Sequence, residues 1–347
     1  MVRADGCSSL PSSHAAPECH TLMPPTHKYL FLLLFICPML CPIAWGQTYP
    51  AKSIRFVVPY PPGGSNDVLS RITAQAMSPG LGQSVVIDNR PGAGGMIGAD
   101  NVAKSAPDGY SIVNVQASFV ANTAMRSKMP YDAITDFVYI GMMARGPLLA
   151  VVHPTLPVKN IKELVTLAKA RPGQINYGST GTGGHNHLAS ELFRKMAGIN
   201  ITHIPYKGVA PALTDLMGGH TQLVMTSLPS AMTQVQAGRL KALAVGSEKR
   251  SSFMPEMPTI AESGGTLAGY AAEFFWGIAA PAKTPAAIVD RLATELTKVL
   301  QSPDLKQRFA AEGAEPTVMS REQFTKFLTN EITRWRQVAR ESNIQPE

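Results

Sequence analysis

The chain has 347 residues, 45% of them hydrophobic and 16% charged, with 29 Gly, 28 Pro and a formal net charge of +7. That length exceeds what one hydrophobic core usually serves, so one large or two medium domains are expected, and the composition excludes a disordered or coiled-coil chain. All four cysteines, Cys7, Cys19, Cys37 and Cys41, precede Gly46, which removes disulfides, thiolate metal sites and cysteine nucleophiles from everything downstream.

The first feature along the chain is the apolar run 29–40 (YLFLLLFICPML), behind His27 and Lys28 and followed by Ala44-Trp45-Gly46. Small residues at −3 and −1 of a cut before Gln47 make this a signal-peptide pattern. The run is about a dozen residues, short of the roughly 20 that span a bilayer. Export as a soluble protein with cleavage near Gly46/Gln47 is expected, with translation starting at Met1 or Met23. A lipidated Cys41 is disfavoured by Pro38 and Leu40. Arg3 and Lys28 are balanced by Asp5 and Glu18, so the positive excess belongs to the remainder of the chain. It favours encounter with small anions, but no basic block of roughly 5–8 residues suggests nucleic acid.

Beyond the leader, a grammar of strand, Gly-rich loop and helix repeats. Residues 54–58 (IRFVV) form a strand that stops at Pro59-Tyr60-Pro61-Pro62-Gly63-Gly64. A helix follows from about Ser65, with Ser65, Asn66 and Asp67 in its cap and first turn. The same order recurs at 85–87, Asn89-Arg90-Pro91-Gly92-Ala93-Gly94-Gly95 and a helix over 96–104, then a strand over 111–116. A mixed stretch runs to Gly146, and 148–152 reads as an apolar strand. Asn160 and Glu163 form a capping box for the helix that ends near Arg171-Pro172-Gly173. A third repeat comprises 175–177, Gly178-Ser179-Thr180-Gly181-Thr182-Gly183-Gly184 and a helix over 185–196. Strand 202–204, helix 210–217, strand 221–226, helix 229–237 and strand 240–245 continue the alternation, which predicts parallel sheets with right-handed crossovers. Roughly nine strands favour two sheets over one. In the C-terminal third, a helix behind Thr284-Pro285 and another from Arg321 carry apolar stripes and read as packing helices.

In such sheets ligands bind where strands end and helices begin, because unpaired N–H groups and helix dipoles there favour negative charge. One Gly loop is explained by a tight turn alone. Three of them point to an anion site. Gly92-Ala93-Gly94 lacks the third glycine of a dinucleotide fingerprint, whose place holds Ile97, and no Walker loop or nucleophile elbow is present. His185 and His187 are two apart on a helix and face different sides, so a solvated or capping pair is expected, not a metal site. His187 is placed either to donate to a ligand carboxylate or to bond its own loop. Asp67 suits a helix first turn for structural reasons, or would hold a ligand amine or a loop donor. Lys207 could meet an anion, and Tyr60 and Tyr206 could wall a pocket. No cofactor is implied.

Five stretches, YPAKSIRFVVPYPPGGSNDVLSR, VVIDNRPGAGGMIGADNVAKSAPDGY, INYGSTGTGGHNHLASELF, THIPYKGVAPALTDLMGGH and FFWGIAAPAKTP, give a resemblance. In this order and spacing the chain from 49 to about 345 resembles the Bug (TctC-like) family of periplasmic substrate-binding proteins of tripartite tricarboxylate transporters. The resemblance implies an α/β, two-lobed Venus-flytrap fold, each lobe a mainly parallel sheet flanked by helices, closing by hinge motion. Residues 47–146 and 246–347 would form lobe one with its C-terminal packing helices, and 147–245 lobe two, with crossings near Gly146 and Gly246. It further implies that Gly64, Ser65, Asn66 and Asp67 grip a carboxylate from one side and Ser179, Gly181, Gly183 and His187 from the other. Ala93, Gly94 and Gly95 belong to the loop beside the first. Family members vary most in pocket lining over 111–122 and Met225-Thr226-Ser227, which places Thr226 at the ligand and leaves ligand identity open. Neither gripping loop contains Arg or Lys, so recognition must rest on backbone N–H groups, hydroxyls, helix ends and ordered water.

The expectation is thus a non-catalytic, monomeric receptor for a di- or tricarboxylate, an acidic amino acid or an aromatic carboxylate, serving membrane transporter subunits. The alternatives are a receptor that signals through a sensor kinase and, less favoured, a periplasmic α/β hydrolase.

Overall fold

The computed structural model describes residues 49–341, so the signal-peptide and start-site expectations lie outside the described residues. In chain order the elements begin with β1 (Ile54–Val58), α1 (Ser65–Leu81), β2 (Val85–Asn89), α2 (Met96–Ala103), β3 (Ser111–Gln116) and α3 (Ala117–Met125). A 16-residue strand, β4 (Phe137–Val152), comes next. It is followed by α4 (Ile161–Ala170), β5 (Asn176–Ser179), α5 (His185–Ala197), β6 (Thr202–Pro205), α6 (Val209–Met217), β7 (Leu223–Ser227), α7 (Leu228–Gln236) and β8 (Lys241–Val245). The chain returns through β9 (Glu273–Pro281), then α8 (Ala286–Gln301), α9 (Pro303–Ala311), β10 (Glu315–Pro316) and α10 (Arg321–Glu341).

The strand order is β2-β1-β3-β9-β4-β7-β5-β6, with β8 and β10 also paired to β4. The expected parallel pairing is present in β2-β1-β3 and in β6-β5-β7. Between them stand β4 and β9, antiparallel to each other and to their other partners, so each sheet is mixed. β4 belongs to both sheets: Phe137 to Pro147 pair with β9, and from Leu148 onward the strand pairs with β7 and β8. The sequence reading placed a strand only from Leu148 and did not anticipate β9 or α9. A short apolar run buried on both faces has no alternation to identify it, and β4 and β9 are such runs.

Period-two geometry explains how β4 serves two cores. Leu148, Ala150 and Val152 join the main apolar cluster, which includes Tyr177, Leu188 and Phe193. Leu149 and Val151 face a second cluster with Leu213 and Leu216 of α6 and Leu228 and Ala231 of α7. The main cluster also takes Phe56, Ile112, Val289 and Leu292. Helix α10 inserts Phe324, Leu328, Ile332 and Trp335, spaced on one face, and packs on α3, β4 and α5.

Gly277 of β9 lies under α10, where an added Cβ would collide with the Phe324 ring and approach Gly141 O at 3.0 Å. Gly277→Ala is therefore expected to destabilise the protein by about 1–3 kcal/mol through overpacking, measured as a lower urea midpoint. An unchanged midpoint would show that α10 is not seated tightly on β9.

Candidate ligand-binding cleft

Five helices start at one place. The first residues of α1, α3, α5, α6 and α7 line a cavity of about 70 Å³ between the lobes. The N-caps of α1, α5 and α6 are Gly64, Gly184 and Gly208, which have no side chain to cap with, and the Ser227 hydroxyl before α7 makes no capping bond either. By contrast Asn160 and Ser302 cap α4 and α9, which start elsewhere. Each helix start carries unsatisfied N–H groups and a partial positive charge of roughly half a unit. Gln116 is the exception, its Oε1 accepting from Ser118 N at 2.9 Å at the start of α3.

Between these helix ends stand neutral polar side chains: Ser65, Asn66, Gln116, Ser118, Thr180, Asn186, Thr226, Ser227 and Ser230, with Phe274 as an apolar wall. No Arg, Lys, Asp or Glu is among the residues lining this chamber. Asn66 Oδ1 is buried without a hydrogen-bond partner. Two hydrogen bonds cross the cleft here: Ser227 Oγ donates to Ser65 Oγ at 3.0 Å, and His185 N donates to Ser118 Oγ at 3.2 Å.

A wider cavity of about 710 Å³ adjoins the chamber and is lined by Ala93, Gly94, Gly95, Gly181, Tyr206 and Lys207, among others. Tyr60 and Thr180 line both spaces. The Tyr60 hydroxyl donates to Gly94 O at 3.0 Å and accepts from Gln116 Nε2, and burial pushes its phenol up to about 12, so it stays neutral. The Gly94 carbonyl also accepts from Asn122 Nδ2 at 2.9 Å. Ala93, Gly94 and Gly95 run consecutively through positive φ (48°, 65° and 98°), a path that favours glycine.

The structure thus brings Tyr60, Gly64, Ser65, Asn66 and Thr226 to the chamber, and Ala93, Gly94, Gly95, Gly181 and Tyr206 to the outer cavity. Asp67, Ser179, Gly183 and His187 line neither. Asp67 is 3% exposed and its carboxylate accepts from Gly63 N at 3.0 Å, Arg71 Nε at 2.9 Å and Asn89 Nδ2 at 2.9 Å. Burial alone would raise it, but these donors outweigh burial and hold it below the ordinary aspartate value. His187 Nδ1 accepts from Gly183 N at 3.1 Å, the loop-bonding placement of the two left open by sequence, and its ring stacks on His203 with centroids 4.0 Å apart. Ser179 Oγ lies 2.6 Å from His203 Nε2, a spacing a nucleophile and base would show. Yet Ser179 is fully buried and its hydroxyl is bonded within its own loop to Gly181. Burial, reinforced by the nearby His187, pushes His203 down to about 4.

Of the expected solvated or capping pair, His187 caps its loop, whereas His185 is fully buried, edge-on to Phe274 and Trp335, and burial pushes it down to about 3. Among the described residues no group of three or more His, Cys, Asp or Glu could hold a metal, and no helix is long and apolar enough to cross a membrane. Gln116 and Ser118 fall in the 111–122 stretch given as variable pocket lining, whereas Thr180, Asn186, Ser230 and the 208–211 segment were not singled out. Their common signal is position in the loop before a helix or in its first turn.

The model of the tripartite tricarboxylate transporter family receptor matches residues 69–344. Protein BugT of Bordetella pertussis strain Tohama I is 38% identical over 298 residues, covering 85% of this chain and 91% of that protein. The structure of Rhodopseudomonas palustris MatC (Rpa3494) with bound malate superposes with a TM-score of 0.78 at 27% identity, covering 84% of this chain and 99% of that one. R. palustris Rpa4515 with adipate gives a TM-score of 0.83 at 37% identity, with 86% and 100% covered. The chain, two-lobed and with its loops converging on one cleft, belongs to the Bug (TctC-like) family of tripartite tricarboxylate transporter receptors.

Proposed function

We propose that this protein is a non-catalytic periplasmic receptor that closes its lobes on a small organic carboxylate and presents it to the membrane subunits of a tripartite tricarboxylate-type transporter. The observation that carries this reading is the chamber itself, where uncapped helix starts and neutral hydroxyl and amide groups surround a space with no charged side chain. Such a site compensates an anion with N–H dipoles. An amine would meet the same positive helix ends. Relatives solved with adipate and with malate support the choice of a carboxylate.

Residues 47–146 and 246–347 would form lobe one and 147–245 lobe two, with the hinge where β4 changes sheets. Gly246 sits beside that change, its N–H donating to Leu148 O and its carbonyl accepting from Ala272 N, each at 2.7 Å. Ser65, Asn66, Ser118, Thr226 and Ser227 would meet the carboxylate. Asp67, His187 and Ser179 would brace the two loops from behind.

In calorimetry and thermal shift, carboxylates are expected to bind and raise Tm while uncharged sugars leave it unmoved; a sugar response without a carboxylate response would sink the reading. Ser227→Ala, which removes a hydroxyl from the chamber and a cross-cleft bond, should weaken carboxylate binding about 5- to 15-fold, the equivalent of a typical net hydrogen bond of about 1–1.5 kcal/mol. Unchanged affinity would place the ligand elsewhere. For Asp67, whose native pKa is lowered, the stabilisation is present above the ordinary value of ~3.9 and lost as pH falls through the native value. The Tm advantage of the wild type over Asp67→Asn should therefore be full at neutral pH and vanish in acid. An advantage that persisted in acid would argue against the clamp.

A further inference from the structure

The two connected cavities differ greatly in size and in wall chemistry. The chamber measures about 70 Å³, room for a carboxylate group with ordered water, since one water needs roughly 10–15 Å³. The adjoining cavity measures about 710 Å³, whereas about 150 Å³ suffices for a benzene ring. Tyr60, Pro61, Ser118, Thr180 and Gly208 line both, so a ligand anchored in the chamber continues directly into the larger space.

The larger side chains lining that space include Pro59, Tyr60, Pro61, Pro91, Pro205 and Tyr206, set among glycine-rich backbone and the hydroxyls of Thr180 and Thr182. Proline rings and tyrosine faces are flat, apolar and stiff, and they gain contact with a ring at little cost in side-chain entropy. Both tyrosines are held in place: Tyr206 by donation to Asp215 Oδ2 at 2.7 Å, and Tyr60 between Gln116 and Gly94. Arg126 and Lys207 also line the cavity, so a polar or anionic substituent on the ring's far side would meet positive charge there.

Resting on the carboxylate reading of the chamber, we propose that the preferred ligand is an aryl carboxylate, its carboxylate in the chamber and its ring between the proline and tyrosine walls. A four-carbon diacid carries no ring to place between those walls.

The test is isothermal titration of the purified protein with acetate, succinate, phenylacetate and 3-phenylpropanoate, repeated in Tyr206→Ala and Tyr206→Phe. The wild type should bind 3-phenylpropanoate about tenfold or more tighter than succinate, corresponding to about 1.4 kcal/mol. Tyr206→Ala should lower that affinity ratio about tenfold, and Tyr206→Phe, which keeps the ring, should largely preserve it. Because the ratio is taken within each variant, a general loss of stability cancels. Succinate binding as tightly as the aryl acids, or a ratio unmoved by Tyr206→Ala, overturns the proposal while leaving the carboxylate receptor intact. Failure of every carboxylate, acetate included, overturns the chamber reading and this proposal together.

Discussion

Everything in the cleft depends on an electrostatic imbalance. Several helices begin at the same spot with their N–H groups uncapped, and no carboxylate side chain lines the chamber to neutralise them. A helix start buried without partners is costly, so the fold must hold these starts together against their mutual repulsion. Strands β4 and β9 do this. They run antiparallel through the middle of the molecule and fix where the loops on either side can emerge. The glycines at the helix starts then let the backbone itself come to the chamber surface, where a side-chain cap would otherwise occupy the space the anion needs.

The division of labour among the loop polar groups follows from the same constraint. A loop that presents backbone N–H groups inward must be held from outside, and the strongest hydrogen bonders near it are used for that purpose. Asp67 ties Gly63, Arg71 and Asn89 together on one side. On the other, His187 and Ser179 tie down the Gly-rich turn, and His203 stacks on both His187 and Tyr177. The groups left to face the chamber are the weaker, neutral ones, which can rearrange around ordered water.

This division also explains how much was legible in the sequence. The βα units were readable because each carries its own punctuation: the strand 54–58 ends at a run of proline and glycine, and α1 begins at Ser65 as its cap residues indicated. The same holds for α5 and for the apolar stripe of α10. Of the central strands only 148–152 was readable, because β4 and β9 are buried on both faces and lack alternation. In the cleft, Ser65, Asn66 and Thr226 could be picked out, but Asp67 and His187 looked equally able to turn toward a ligand or toward their own loop. Only the position of Arg71, Asn89 and Gly183 decides that. Gln116 ends the strand read over 111–116 and Ser118 opens a helix that was not read, both within the stretch given as variable pocket lining, and Asn186 and Ser230 are ordinary helix residues until one knows which helix starts converge.

One helix has a mechanical consequence. Helix α10 packs on α3 and β4 with Phe324 and Leu328 in the main core, and its later turns reach α5, where Trp335 meets His185 edge-on and Glu341 pairs with Lys195 at 3.4 Å. Any rotation of one sheet against the other about β4 would have to remake these contacts. The C-terminal helix therefore ties α5 to α3 and β4.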